Sequence, residues 1–555
     1  MFLIFNKKQH NLALYDEFMK KLPFFCLIVL IGLISCNDPK EEIDKQTIDT
    51  LDILKPDSLY VHPDVEIKNF HSQIIPIPSK VEIQKKGLLL NPNIKIYSDD
   101  IFGDISDQTR MIQTFVEGHF ENADKGNSIA FIIKSKPTLG AECYELSVNN
   151  NGISLYASTK KGIFYGIQTF FQLFLTMTDN QLPYLSIEDC PRFPHRGLMI
   201  DPARHFIPID DIKSFIDIMS FYKFNKLHIH LSDDDGWRVE IKGLPELNCK
   251  EGSSSRVFGD KNGRYTQEEL IDLVNYAAAR AVEIVPEIDI PGHSSYIVSI
   301  YPEMICGGSA PKHLQLCASN DKVLDFMDIV ISELAEIFPS PNFHLGGDEV
   351  PVETIKDCPL CQEKMKQLGY SKEEQLISDL LKNTSKILEK HQKNPMFWFE
   401  FNISDYPDNS TVYSWRKERS PEAISIAQNR GYKLICSPDE YSYFNYPQAW
   451  EGEPPFDNWG MPAITLYSVY HFDPTFKLSS QQTSNITGIE ALLWAEYITS
   501  MDLLFYMAYP RAIAFSEVGW SKPENKKWNT FYPKLKHHLN YLSQKGINHR
   551  IPTEH

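Results

Sequence analysis

From His195 onward the sequence alternates short β-branched or apolar stretches with amphipathic ones, and few folds accept that order. The strand candidates are HRGLMID (195–201), KLHIHLS (226–232), VEIVPEID (282–289), NFHLGGD (342–348), MFWFEF (396–401), TVYSW (411–415), YKLICS (432–437) and GIEALLW (488–494). Between them, Ile209, Ile212, Phe215, Ile216 and Met219 fall on one helical face. Thr266-Gln267-Glu268-Glu269 is a capping box that opens a helix carrying Leu270, Leu273, Val274, Ala277 and Ala281. Further helical patterns run through 322–338, 372–391, 421–430 and 500–516. Eight strand–helix units predict an α/β chain with a (β/α)8 barrel. An open doubly wound sheet should show a glycine-rich phosphate loop after its first strand, and HRGLMIDPARH has none.

Catalytic groups of such barrels sit at the C-terminal ends of the strands. Those ends are heavily loaded here. They carry Asp201 and Arg204; Asp233, Asp234, Asp235, Trp237 and Arg238; Asp289 and His293; Asp348 and Glu349; Trp398 and Glu400; Trp415; Tyr441, Tyr443 and Asn445; Trp494 and Glu496. A packing core alone does not place charged, polar or aromatic groups at every strand end.

Residues 70–190 read differently. VEIQKKG, NIKIYSD, SIAFIIK and YELSVNNNGISLYAS look like strands, Asn150-Asn151-Gly152 like a hairpin turn, and 162–174 like a helix. This predicts a small α+β domain ahead of a barrel over 191–520, with 521–555 a helical extension packed on it. The chain's 555 residues, 42% hydrophobic and 12% aromatic, supply ample core. A nucleic-acid binder would normally need a basic face, and the net charge of −18 argues against one, so no nucleic-acid partner is expected.

At the N-terminus, Lys20 and Lys21 precede an apolar run from Leu22 to Ile34, too short to span a bilayer comfortably and suited to an export signal. A conventional signal would begin at Met19. Leu33-Ile34-Ser35-Cys36 resembles a bacterial lipobox, which makes Cys36 the expected lipidated residue and residues 1–36 a signal. Residues 37–69 are acidic and proline-punctuated, a tether. The expectation is an exported protein, lipid-anchored on the periplasmic face or cell surface.

Carboxylates ringed by tryptophan suit a sugar, whose C–H face stacks on indole while its hydroxyls take hydrogen bonds. Most glycosidases set two carboxyls on opposite sides of the scissile bond, roughly 5–9.5 Å apart. Asp348 and Glu349 are sequence neighbours and enter from one edge. That arrangement suits substrate-assisted cleavage, in which a 2-acetamido oxygen of the substrate is the nucleophile.

His344-Leu345-Gly346-Gly347-Asp348-Glu349-Val350 resembles the signature of family 20 glycoside hydrolases, the β-N-acetylhexosaminidases. The resemblance extends to RGLMIDPARHF (196–206), KLHIHLSDDDGWR (226–238), PEIDIPGH (286–293) and GIEALLWAEY (488–497). It implies an exo-acting, retaining, cofactor-free and metal-free enzyme acting on glycans with a terminal N-acetylhexosamine. By that resemblance Glu349 is the general acid/base, Asp348 holds the acetamido group, and Tyr443 donates to the acetamido oxygen. Arg204 binds O3 and O4, Glu496 binds O4, Trp398, Trp415 and Trp494 wall the pocket, and His293 and Asp233 tune Glu349. A last pocket tryptophan is Trp450 or Trp459. Where the family commonly has an aspartate near O6, this chain has Asn445, so the contact there loses its charge. Two rival readings are a family member that releases a disaccharide and a surface glycan-binding lipoprotein without catalysis; the intact Asp348-Glu349 pair speaks against the second.

Ten cysteines are too few for a disulfide scaffold. Cys306 and Cys317 share a loop and are expected to pair. Cys358-Pro359-Leu360-Cys361 is a CxxC without a partner pair, read as a disulfide or free thiols. His228 and His230 share a strand face, lack a third metal ligand at usual spacing, and are expected inside the barrel or behind the site.

Overall fold

The computed structural model describes residues 60–553 apart from 68–69, 121–125, 249–262, 308–312, 401–405, 451 and 456–459. The export signal, Cys36 and most of the tether therefore lie outside the described residues. No described helix is long and apolar enough to cross a membrane.

Eight parallel strands close into a barrel. They are His195–Ile200, Lys226–His230, Glu283–Glu287, Asn342–His344, Asn394–Trp398, Thr411–Ser414, Lys433–Cys436 and Ile486–Leu493. The first pairs with both the second and the eighth, which completes the ring. Each expected strand is present, and most end before the charged residue that follows. Asp201, Asp289, Asp348 and Glu496 thus sit in the loops at one rim.

The surrounding helices follow the apolar periodicity. Ile209–Phe221 buries Ile212, Phe215, Ile216 and Met219. Gln267–Ala278 is opened by Thr266, whose side chain accepts from the Glu269 amide while the Glu269 carboxylate accepts from the Thr266 amide. Asp321–Ile337, Glu374–Lys390 and Ser420–Arg430 follow the third, fourth and sixth strands. The eightfold alternation is incomplete. Among the described residues no helix joins the fifth strand to the sixth, and only helices of four to six residues lie between the seventh and eighth. The pattern over 500–516 splits at Pro510 into Met501–Ala508 and Arg511–Trp520, since proline cannot donate the hydrogen bond an unbroken helix needs.

The preceding domain is a seven-stranded mixed sheet covered by helices Ser106–His119 and Lys160–Leu173. Tyr144–Asn149 and Gly152–Ala157 form the expected hairpin, with Gly152 at φ 117°. Strand Gln181–Asp189 and helix Ser106–His119 are additions to the sequence reading. A disulfide joins Cys143 to Cys190. Against the barrel, Lys223 lies 3.0 Å from Asp189, which also accepts from Tyr144 and from the Trp520 indole at 2.6 and 2.9 Å. Helix Trp528–Gln544 closes the other side; His538 hydrogen-bonds the Gln73 carbonyl and the Tyr222 hydroxyl.

Candidate active site

The barrel interior beneath the rim holds charge in place of aliphatic packing. Glu490 contacts His195 and His228 at 2.8 Å each. Glu287 contacts His228 at 3.2 Å, His344 at 2.7 Å, His230, and the Trp398 indole N–H at 2.7 Å. Burial works against charge on the two strand-two histidines, but the carboxylates outweigh it and raise His228 to about 9 and His230 to about 10. Both are fully buried within the barrel. His230 passes the network upward to Asp233 at 2.8 Å.

At the rim, Asp233 lies 2.7 Å from Arg204 Nη2 and accepts from His293 Nδ1 at 3.3 Å. Burial alone would raise its pKa; Arg204, His293 and His230 together hold it well below the usual carboxylate range. His293 Nε2 lies 3.8 Å from Asp348 and 3.7 Å from Glu349. Burial favours neutral imidazole, yet Asp233, Asp348 and Asp289 raise His293 well above its ordinary value. One imidazolium therefore links the charged interior to both members of the Asp-Glu pair.

That pair is set by its glycines. Gly346 and Gly347 have φ of 65° and 93°, and Glu349 itself sits at 49°. A Cβ on Gly346 would come within 1.8 Å of Asp289 Oδ1, which accepts from the Gly347 amide at 3.0 Å. The left-handed turn sends the two carboxyls apart. Asp348 is buried, whereas the Glu349 side chain is 51% exposed. Burial, then the neighbouring Asp348 charge, push the Asp289 carboxyl well up. The Asp348 pKa is raised by burial and by Glu349.

The remaining expected residues divide by depth. Asp201 lies 3.0 Å from Arg204 Nη1 and accepts from the Ala495 amide at 3.0 Å. This fixes the segment bearing Trp494 and Glu496 beside Arg204, whose guanidinium stands 5.0 Å over the Trp494 ring. Trp415 and Tyr443 stack at 6.3 Å with 19° between planes. Asn445 is half-buried, its side-chain oxygen buried without a hydrogen-bond partner among the described residues. Trp398 is 1% exposed and meets Trp494 at 5.7 Å, so it backs the site from within the barrel. Trp450 is 76% exposed, and Trp459 lies outside the described residues.

Two groups were not given roles by the sequence reading. Glu400 is buried at the end of the fifth strand, and burial raises its carboxyl to about 7 despite Arg416. Arg416, stacked on Trp415 at 4.1 Å, lies 3.1 Å from both Glu400 and Glu349. The available signal was positional: Arg416 directly follows a site tryptophan, and Glu400 stands two residues after another.

A parallel barrel with paired rim carboxylates, an imidazolium behind them and indoles around them defines a glycoside hydrolase. The sequence profile described as glycosyl hydrolase family 20, catalytic domain, matches residues 193–523, and the profile for domain 2 of that family matches residues 71–190. The chain belongs to glycosyl hydrolase family 20. It is 38% identical to a beta-hexosaminidase of Akkermansia muciniphila, over 73% of this chain and 85% of that protein. It is 31% identical to a beta-hexosaminidase of Porphyromonas gingivalis, over 96% and 69% respectively. It superimposes on an exo β-N-acetylglucosaminidase from Vibrio harveyi, solved with N-acetylglucosamine, with a TM-score of 0.79 at 27% identity, covering 89% of this chain and 81% of that one.

Proposed function

We propose that this protein is an exo-acting, retaining β-N-acetylhexosaminidase that removes terminal GlcNAc or GalNAc from glycans by substrate-assisted catalysis. The observation that carries the reading is the split environment of two adjacent carboxyls. Asp348 is buried beside Asp289 and His293, while the Glu349 side chain is half exposed and turns outward, where a leaving-group oxygen would arrive. Asp348 takes the acetamido N–H and stabilises the positive charge of the cyclising oxazolinium-like intermediate. Glu349 protonates the leaving oxygen and then activates water. Tyr443 donates to the acetamido oxygen. Arg204 and Glu496 hold the hydroxyls of the terminal sugar, and Trp415 and Trp494 flank its ring, with Trp398 behind.

Aryl β-glycosides with and without the 2-acetamido group test the reading. The GlcNAc and GalNAc derivatives should be cleaved and the glucoside should be nearly inert; comparable turnover of the glucoside would reject it.

A second proposal concerns placement. Lys20, Lys21, the apolar run and Leu33-Ile34-Ser35-Cys36 support export and lipid anchoring at Cys36. Cys36→Ser should move the protein from the membrane fraction to the soluble one. An unmodified mature N-terminus at another residue would overturn that assignment.

A further inference from the structure

Away from the acid pair, four cysteines that the sequence scatters over two loops come together. Cys306 and Cys317 lie in the loop after the third barrel strand, and Cys358 and Cys361 lie in the segment after the fourth. All four are buried, and their sulfurs lie within 4.8 Å of one another. Cys306 to Cys361 is 3.7 Å, Cys317 to Cys361 is 3.6 Å, and Cys317 to Cys358 is 3.9 Å. Cys143 and Cys190 are bonded, whereas none of these four is. The expected Cys306–Cys317 pairing is not found, because the chain brings the CxxC sulfurs alongside the same two residues.

These spacings have a simple geometric meaning. Four thiolates around a tetrahedral zinc ion at about 2.3 Å each stand about 3.8 Å apart, the edge of that tetrahedron. The three separations above cluster at that value. A disulfide would favour one short pair, yet Cys361 is equally near Cys306 and Cys317. The backbone is arranged to present sulfur. Cys306 and Cys317 flank an antiparallel bridge between Ile305 and Leu316, with the Cys306 amide donating to Gln315 and the Cys317 amide to Met304. Cys358 caps helix Pro359–Leu368, which places both CxxC sulfurs at the end of the helix that favours negative charge.

We propose that Cys306, Cys317, Cys358 and Cys361 form a structural four-cysteine zinc site that ties the third rim loop to the fourth. Its consequence for the proposed activity is positional. The Leu316 amide donates to the Pro291 carbonyl at 3.0 Å, two residues before His293. Cys358 follows Glu349 through the single short helix Val352–Asp357. The metal would clamp together the two loops that carry His293 and the Asp348-Glu349 pair, without touching substrate.

The test is elemental analysis of the full-length protein, purified without chelator or reductant, with thiol titration alongside. About one zinc per chain is expected, released in step as an organomercurial titrates four thiols. Cobalt grown in place of zinc should give the thiolate-to-metal charge-transfer band and intense visible bands of a tetrahedral site. Cys361→Ser should lose the metal, and Cys436→Ser, which removes a buried free thiol outside the cluster, should keep it. Should Cys361→Ser fail to fold, the metal content and cobalt spectrum of the unaltered protein decide the matter. Metal-free protein with two further disulfides would overturn the proposal, as would metal-free protein with four alkylatable thiols. Either outcome is independent of glycosidase activity. Release of the zinc should also lower kcat several-fold with less effect on KM.

Discussion

At the scale of single residues the site works by giving neighbouring acids unlike surroundings. Glu349 faces outward beside Arg416, and Asp348 is enclosed by Asp289 and His293. Glu349→Gln should lower turnover of substrates with poor leaving groups by about 10²–10⁴-fold, and an activated aryl leaving group should recover part of it. Steady-state rates on a disaccharide and on a nitrophenyl glycoside measure the difference. Glu400 makes a separate statement about pH. Burial raises its carboxyl to about 7 in the folded protein, above the unfolded value near 4.5. The folded state thus holds the proton more tightly, and the resulting stability is present below pH 4.5 and lost as pH rises through 7. Urea unfolding across that range should show a downward slope with pH that flattens in Glu400→Gln. An unchanged slope would assign the titration to other groups. The residue scale was also the most legible in sequence. Asp348, Glu349, Arg204, Asp233, His293, Tyr443, Trp494 and Glu496 were all legible as strand-end residues, and the fold gathers them at one rim. The role of Arg416 was not legible beyond its place next to Trp415, because nothing in a sequence shows that one guanidinium spans two carboxylates from different strands.

At the scale of elements the fourth strand and its loop set the geometry. The left-handed turn at Gly346 and Gly347 leaves Asp289 room to reach the Gly347 amide. Gly346→Ala would drive a methyl into the Asp289 carboxyl and oppose the positive φ. We expect the variant to fold, by circular dichroism, and to lose about 10²-fold in kcat through displacement of Asp289 and Asp348. The strands were readable because parallel barrel strands are buried on both faces and appear as continuous apolar runs. Their ends were less so: the fourth pairs only over Asn342–His344, since the glycine turn bends the chain out of register immediately afterwards. Of the helices predicted around the whole ring, none is found after the fifth strand and only short pieces after the seventh, among the described residues. The strand Gln181–Asp189 is hard to read from sequence because its burial is nearly continuous and its alternation weak.

For the molecule as a whole, the small domain and the barrel share a buried ionic contact. Lys223 and Asp189 are both fully enclosed at the boundary, with Tyr144 and Trp520 completing the shell. Burial pushes the Lys223 pKa down, and Asp189 opposes that. Asp189→Ala would strand the ammonium and should cost about 3–5 kcal/mol of stability, read from chemical unfolding. Asp189→Asn, which keeps one acceptor oxygen for Lys223, Tyr144 and Trp520 but turns an NH2 toward the Ser79 amide or those donors, should cost less than alanine. Long-range pairings of this kind were invisible in sequence, as was the gathering of four cysteines from two loops, because each depends on the closed barrel having formed.

The central claim is that the nucleophile belongs to the substrate. It is tested most directly by kcat/KM for a series of aryl N-acyl glucosaminides bearing acetyl, fluoroacetyl, difluoroacetyl and trifluoroacetyl groups. Each fluorine weakens the amide oxygen as a nucleophile while changing its size little. If that oxygen attacks the anomeric carbon under the guidance of Asp348 and Tyr443, kcat/KM should fall steeply and monotonically with fluorine count. A flat series would contradict the account and return the nucleophile to a carboxylate of the protein.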